Sequence, residues 1–587
     1  MRLSTLGAVL ALLQSPVSPA PPQDTRPAIQ GFVVRAGTTE PLSNAQVTLI
    51  GVIASATGAQ VSRGATSNTA QTVTDRSGRF EFRSIAPGSY RIAAARNGYA
   101  RQEYGQRAFG TEGRVLTVVA GQPVETITIG LTPAGTVTGV VKDPSGELIA
   151  GLEIRLLQHV YGAYGQRTFV AAGSDRTDDR GEYRVFWVTP GRYYLVALPS
   201  ASARAVATFG VPAGANEVLE NRFPPTYYPG TIDLSQASLI DVRPGEELTG
   251  IDVSVSRQAL FRVRGRVVDA RTGQPPRTAS VTIVPRGPAV PVAAFRSASP
   301  YNPSDGTFEL GDVAPGAYWV RTIVTAASAD SILTADAAGR TVADIFTESL
   351  MADRRVAQVA VDVAGSDVDG LVIAVGAGVS IRGRLRVDGS TLAAVGNLDR
   401  LQVTLRPATT GTPSSTHRPV STDGVFRLDS VSPGDYVVTV QPLPPEYYVK
   451  EARLDQVDAL EQPLVIAGPV PGTLDVLLSR ASGRIDGTVV DSRGHGVSGV
   501  QAVLVPAQRL RWRFDLFRTA ATDSTGRFSL SGIPPGDYSL FSWEALQAFA
   551  YFDEDVLRKS EAAATPVRIA ESSTATVQVT MIPAAFR

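Results

Sequence analysis

The chain has 587 residues, with 55 Lys plus Arg against 55 Asp plus Glu, so no net field exists to draw nucleic acid or an anionic membrane. It has no cysteine, which excludes disulfides, thiolate metal sites and a cysteine nucleophile. Hydrophobic residues at 43% can supply each domain with a core, and 55 Gly with 40 Pro point to a turn-rich, all-β chain of about four to six domains.

Residues 1–27 read as a signal peptide and short leader. Arg2 supplies the positive end, Leu6 to Leu13 the apolar run, and Ser18-Pro19-Ala20 a small-residue cleavage site. That run is too short to cross a bilayer as a helix, and no later stretch holds 18 apolar residues, so no transmembrane segment is expected. The expected location is a periplasm or the cell exterior.

From Thr74 the chain reads TDRSGRFEFRSIAPGSYRIAA, and this pattern returns without a gap from Thr177, Asn302, Val420 and Thr522. Gly78, Gly181, Gly306, Gly424 and Gly526 close the first turn, where positive φ is needed. Asp75, Asp178 and Asp523 precede it as turn acceptors, whereas Asp305 and Asp423 lie next to the glycine. Alternating apolar residues then face one side, Phe80 and Phe82 in the first copy, Tyr183 and Val185 in the second. A Pro-Gly step reads as a type II turn, and Tyr90, Tyr193, Tyr318, Tyr436 and Tyr538 follow it. Their setting resembles the tyrosine corner of immunoglobulin-like sandwiches, in which the hydroxyl bonds back to upstream backbone.

Each copy also has an opening strand (IQGFVVR, VTGVVKD, VRGRVVD, IRGRLRV, IDGTVVD), a second strand and a closing strand. The combination G-x-V-x-D, A-x-V-x-L, T-D-x-x-G-x-F and P-G-x-Y resembles the carboxypeptidase regulatory-like domain. That resemblance implies a transthyretin-like, seven-stranded β-sandwich, akin to carbohydrate-binding-like folds. It predicts five tandem Ig-like or transthyretin-like sandwiches, at 28–132, 133–257, 258–377, 378–480 and 481–587. Short joints without Gly/Ser spacers predict a semi-rigid rod. The segment SADSILTADAAGRTVADIFTESLMADRR is expected to hold a short helix.

No catalytic constellation is legible. His159, His417 and His495 lack metal-ligand spacing, so each reads as a loop or strand-edge residue, and the catalytic zinc domain for which the family is named is absent. GHGVSG, from Gly494, matches G-x-G-x-x-G but leads into a strand, which makes it a hairpin and not a phosphate cradle. Asp553, Glu554 and Asp555 read as a solvated acidic loop. Trp187, Trp319 and Trp543 read as core or joint residues.

The binding candidates are aromatic. Tyr227, Tyr228, Tyr447 and Tyr448 follow Pro-rich steps in equivalent variable loops, and exposed tyrosine faces stack on sugar rings. The alternative is that they pack the loops onto the sandwich or seal a joint. The expected function is a non-catalytic, exported scaffold or binding protein of the cell envelope, without a cofactor or metal. Its expected partner is a polysaccharide or an envelope or extracellular protein. A carbohydrate-binding protein using those tyrosines, or an accessory module of an enzyme, are the alternatives.

Overall fold

The computed structural model describes residues 29–52, 69–83, 85–119, 126–162, 165–199, 223–286, 301–324, 355–376, 378–396, 401–408 and 416–584. The leader at 1–27 and the helix expected within 328–355 lie outside the described residues, apart from Arg355. Among the described residues, ten sheets pack around five main hydrophobic cores, one to a unit, in an all-β array.

The first unit shows the plan. Strand Ile29–Arg35 lies between Arg79–Phe82, antiparallel, and Ile127–Leu131, parallel. The facing sheet sets Gln46–Gly51 between Thr69–Val73 and Gly88–Ala95. Ile29, Val33, Phe80 and Phe82 from one layer meet Val47, Leu49 and Ile92 from the other in a single core. The alternation seen in sequence is thus the alternation of the pleat, and each such side chain contributes about 1.5–3 kcal/mol by leaving water. The later opening strands Gly135–Lys142, Phe261–Asp269, Val379–Val387 and Gly483–Val490 likewise take their closing strands in parallel.

Strand number varies around this plan. The third unit has six strands and the second and fourth have nine among the described residues, against the seven the resemblance implied. Part of the excess in the fourth unit comes from a segment expected to be a loop. Tyr448–Leu454 is a strand paired antiparallel with Thr473–Ser479. Its side chains alternate, with Ala452 and Leu454 buried and Glu451 and Arg453 exposed, which is why it can close a sandwich edge.

The units do not stand in line as a rod. Arg107 of the first unit donates to the Ser498 carbonyl of the fifth at 2.8 Å, and Gln547 of the fifth donates to the His159 carbonyl of the second at 2.9 Å. The first contact is made by the turn before strand Gln501–Pro506, and the second by a long segment between Gly536–Trp543 and Thr565–Ile569, which also reaches the first unit where the Ala548 amide donates to the Gly110 carbonyl at 3.4 Å. The fifth unit also abuts the fourth, where Arg406 lies over the Phe514 ring at 5.2 Å and Arg509 pairs with Glu461 at 2.5 Å.

Candidate functional site

The recurring residues are spent on their own backbone. Gly78, Gly181, Gly306, Gly424 and Gly526 have φ of +68° to +84°, and a Cβ on Gly78 would lie 2.6 Å from the Val33 carbonyl oxygen. Glycine is therefore required there twice, by conformation and by close approach. The Asp75 carboxylate accepts from the amides of Ser77 (2.8 Å) and Arg79 (2.9 Å), and Asp178 and Asp523 repeat the arrangement. The Ser77 hydroxyl and the Arg79 amide hold Asp75 below the ordinary carboxylate range.

All five tyrosines form the expected corner. Each hydroxyl donates to the carbonyl four residues upstream: Tyr90 to Ala86 (2.9 Å), Tyr193 to Thr189 (2.5 Å), Tyr318 to Ala314 (2.9 Å), Tyr436 to Ser432 (2.8 Å) and Tyr538 to Pro534 (2.9 Å). The Pro-Gly step is not a type II turn. Its glycines have φ of 157° to 159° and begin a strand, whereas the type II position needs φ near +80°. The tyrosine ring folds back over the glycine, 3.4 Å from a Cβ built on Gly88, so the chain enters the strand extended.

The four loop tyrosines do not make exposed platforms. Tyr227, Tyr447 and Tyr448 are 3%, 3% and 6% exposed, and Tyr228 is half-buried. Tyr227 packs with Leu157, Phe169 and Val196 behind the second unit's sheet. Tyr447 enters the fourth core, and its hydroxyl donates to the Ala394 carbonyl at 3.3 Å. The Tyr227 and Tyr447 faces are occupied by the protein's own apolar side chains, and Tyr228 packs against the second core.

The remaining candidates resolve individually. His159 lies in strand Glu153–Tyr161 with its ring edge-on to Tyr161, and burial followed by the nearby Arg167 charge lowers its pKa. His495 sits in an exposed turn whose Asp491 carboxylate accepts from the amides of Arg493 (2.8 Å) and His495 (2.9 Å), so GHGVSG is a hairpin. His417 lies in strand Thr416–Pro419. Among the described residues, no three His, Asp or Glu side chains cluster as a metal site.

The acidic trio is not a solvated loop. Asp553 is buried and caps the helix Glu554–Ser560, accepting from the Asp555 amide at 2.9 Å. Arg167 of the second unit reaches it with Nε at 2.6 Å and Nη2 at 2.9 Å, and also bonds Asp555. This forked contact, together with Asp555 next to it, raises the Arg167 pKa and holds Asp553 below the carboxylate range. Arg511 braces the helix from below through Glu554 (2.9 Å) and Glu561 (3.1 Å). The clasp joins residues 386 positions apart, and no local spacing announces such a pair.

A second feature escaped the sequence reading. Just before the Pro-Gly step of the second to fifth units one sheet slips register, between Val185 and Val188 in the second. The residue at the slip has φ of +55° at Trp187, +56° at Asp312, +58° at Ser430 and +67° at Gly532. A bulky side chain in this region costs about 1–3 kcal/mol. Phe186 and Trp187 are 56% and 57% exposed, so Trp187 is neither core nor joint. Aligning the copies would have flagged it, because the matching pairs are Arg83-Ser84, Gly311-Asp312, Asp429-Ser430 and Ser531-Gly532.

Among solved structures, a minor pilin of Streptococcus agalactiae matches at 11% identity over 39% of this chain and 96% of its own, with a TM-score of 0.22. A streptococcal ancillary pilin matches at 11% identity over 60% and 98%, with a TM-score of 0.18. A shaft pilin of Lactobacillus rhamnosus GG matches at 11% identity over 40% and 98%, with a TM-score of 0.17. No curated protein matches the chain. The family model for the carboxypeptidase regulatory-like domain matches residues 28–132, which hold the first glycine turn and the first tyrosine corner.

Proposed function

We propose that the chain is a non-catalytic, exported scaffold whose fifth unit closes back on the first two and holds the variable loops in fixed relation. The N-terminal run from Arg2 to Ala20 supports export. The boundaries 132/133, 257/258, 377/378 and 480/481 divide the scaffold into its five units. One observation carries the reading: the recurring polar side chains serve turns and corners, while Arg167, Asp553 and Gln547 tie one unit to another. Such a protein acts by geometry, with an envelope or extracellular protein as its partner.

Small-angle scattering of the chain tests this. The radius of gyration is expected to rise by several ångströms in Arg167→Glu, with melting of the sandwiches little changed. The clasp also has a pH dependence with a definite sign. Asp553 is held below its unfolded value near 4, so its contribution is complete above that pH and is lost as pH falls through the depressed folded value. The radius should therefore grow on acidification below about pH 4. An unchanged radius in Arg167→Glu would remove the closed scaffold. Turnover of ester, peptide or glycoside substrates by the purified chain would replace it with an enzyme.

A further inference from the structure

We propose that Phe186 and Trp187 form a stacking platform for a neutral polysaccharide, a site separate from the clasp and from the four loop tyrosines. The register slip inserts an extra residue, so two consecutive aromatic side chains both meet solvent instead of alternating across the sheet. The Arg184 guanidinium lies over the Phe186 ring, 5.0 Å from its centroid, and the side chain is still 56% exposed. Arg184 is itself held by Glu247 at 3.0 Å. The Arg184 amide also donates to the Asp175 carboxylate at 2.6 Å, so the rings sit beside one guanidinium and two carboxylates, with no surplus positive charge. This suits hydroxyl-rich sugar rings and gives an acidic chain nothing to pair with.

The size of the patch selects the occupant. Two aromatic side chains at 56% and 57% exposure offer roughly 250 Å² of surface. A stable protein interface needs about 800 Å² per partner, whereas one or two sugar rings need far less. The other described slips carry Asp312, Ser430 or Gly532. An aromatic residue there, in a conformation that disfavours it, has no role in the shared fold.

The test is affinity electrophoresis of residues 28–587 through gels holding soluble starch, laminarin, xylan, galactomannan or the anionic polymer alginate. Retardation is expected in at least one neutral gel. Trp187→Gly should weaken it about tenfold, the loss typical of removing one aromatic anchor, and Phe186→Ser should weaken it further. Trp187→Gly is a clean variant, because Gly532 holds the same position in the fifth unit. Its melting temperature should be unchanged or raised. Free migration in every neutral gel, retardation by alginate alone, or retardation indifferent to Trp187→Gly would each overturn the proposal. So would a lowered melting temperature, which would show that the ring is packed by the chain. None of these results bears on the radius change expected for Arg167→Glu, so the scaffold reading stands or falls by itself.

Discussion

The second and fifth units share one plan and spend their spare side chains in opposite ways. Both have the glycine turn, the tyrosine corner and a register slip before Pro-Gly. In the fifth unit the slip is Gly532, and a Cβ there would lie 2.6 Å from the Pro445 carbonyl oxygen of the fourth unit. That slip is pressed into a joint. In the second unit it is Trp187, open to solvent. The fifth unit also extends a helix whose cap, Asp553, reaches for Arg167 on the second. Position within the sandwich therefore does not decide use. Small residues let a pole become a joint, and large ones make it a surface.

The largest expected effect tests what the two units share. Each opening strand has a glycine beneath the aromatic residue of the neighbouring strand. At Gly139 a Cβ would lie 2.1 Å from the Ile251 carbonyl oxygen, and at Gly487 it would lie 2.4 Å from the Phe528 ring. A phenyl ring can tilt, whereas the carbonyl moves only if the parallel pairing parts. Gly139→Ala should cost about 3 kcal/mol or more and Gly487→Ala about 1–2. Hydrogen exchange of amides in each unit of the whole chain measures both, because a multi-unit chain has no single unfolding free energy. Equal losses would mean that the two glycines face equivalent obstacles.

Next in size are the corners. Tyr193→Phe and Tyr538→Phe each delete one hydrogen bond to a half-buried carbonyl, at a cost of about 1 kcal/mol. Burial pushes the Tyr193 phenol up to about 12 and raises Tyr538 as well, the latter against the opposing charges of Arg518 and Arg513. A folded value above the unfolded one, near 10, means the contribution is whole below pH 10 and lost as pH rises through the folded value. Melting should therefore fall between about pH 10 and 12, and less steeply in Tyr193→Phe. A flat alkaline profile would mean that the corner hydroxyls reach water.

The corner tyrosines were legible in the sequence, and the reason is physical. A turn glycine, a corner tyrosine and the alternating Phe80 and Phe82 answer to backbone geometry within a few residues, so a periodic sequence shows them. Exposure is not local in that way. Tyr447-Tyr448 looked like a loop platform, but Tyr448 opens a strand that continues as VKEARL, and both rings are buried. The clasp was hidden because Arg167 and Asp553 meet only through tertiary folding. Trp187 was in plain view, yet its meaning depends on the positive φ that the register slip imposes.

The smallest effects sharpen the comparison at that slip. Ser430 sits there with φ of +58°, and Gly532 with +67°. Ser430→Gly relieves a left-handed side chain but frees the unfolded backbone, so a net gain of only about 0.5 kcal/mol is expected in the fourth unit. Gly532→Ala reverses both terms and adds the close approach to the Pro445 carbonyl, so a loss of about 0.5–1 kcal/mol is expected. The loss should appear chiefly as faster hydrogen exchange at the joint of the fourth and fifth units, because the joint can yield before either core does. If Gly532→Ala instead loosened only the fifth core, the glycine would serve its own turn, and the contrast between a slip used as a joint and one used as a surface would fail.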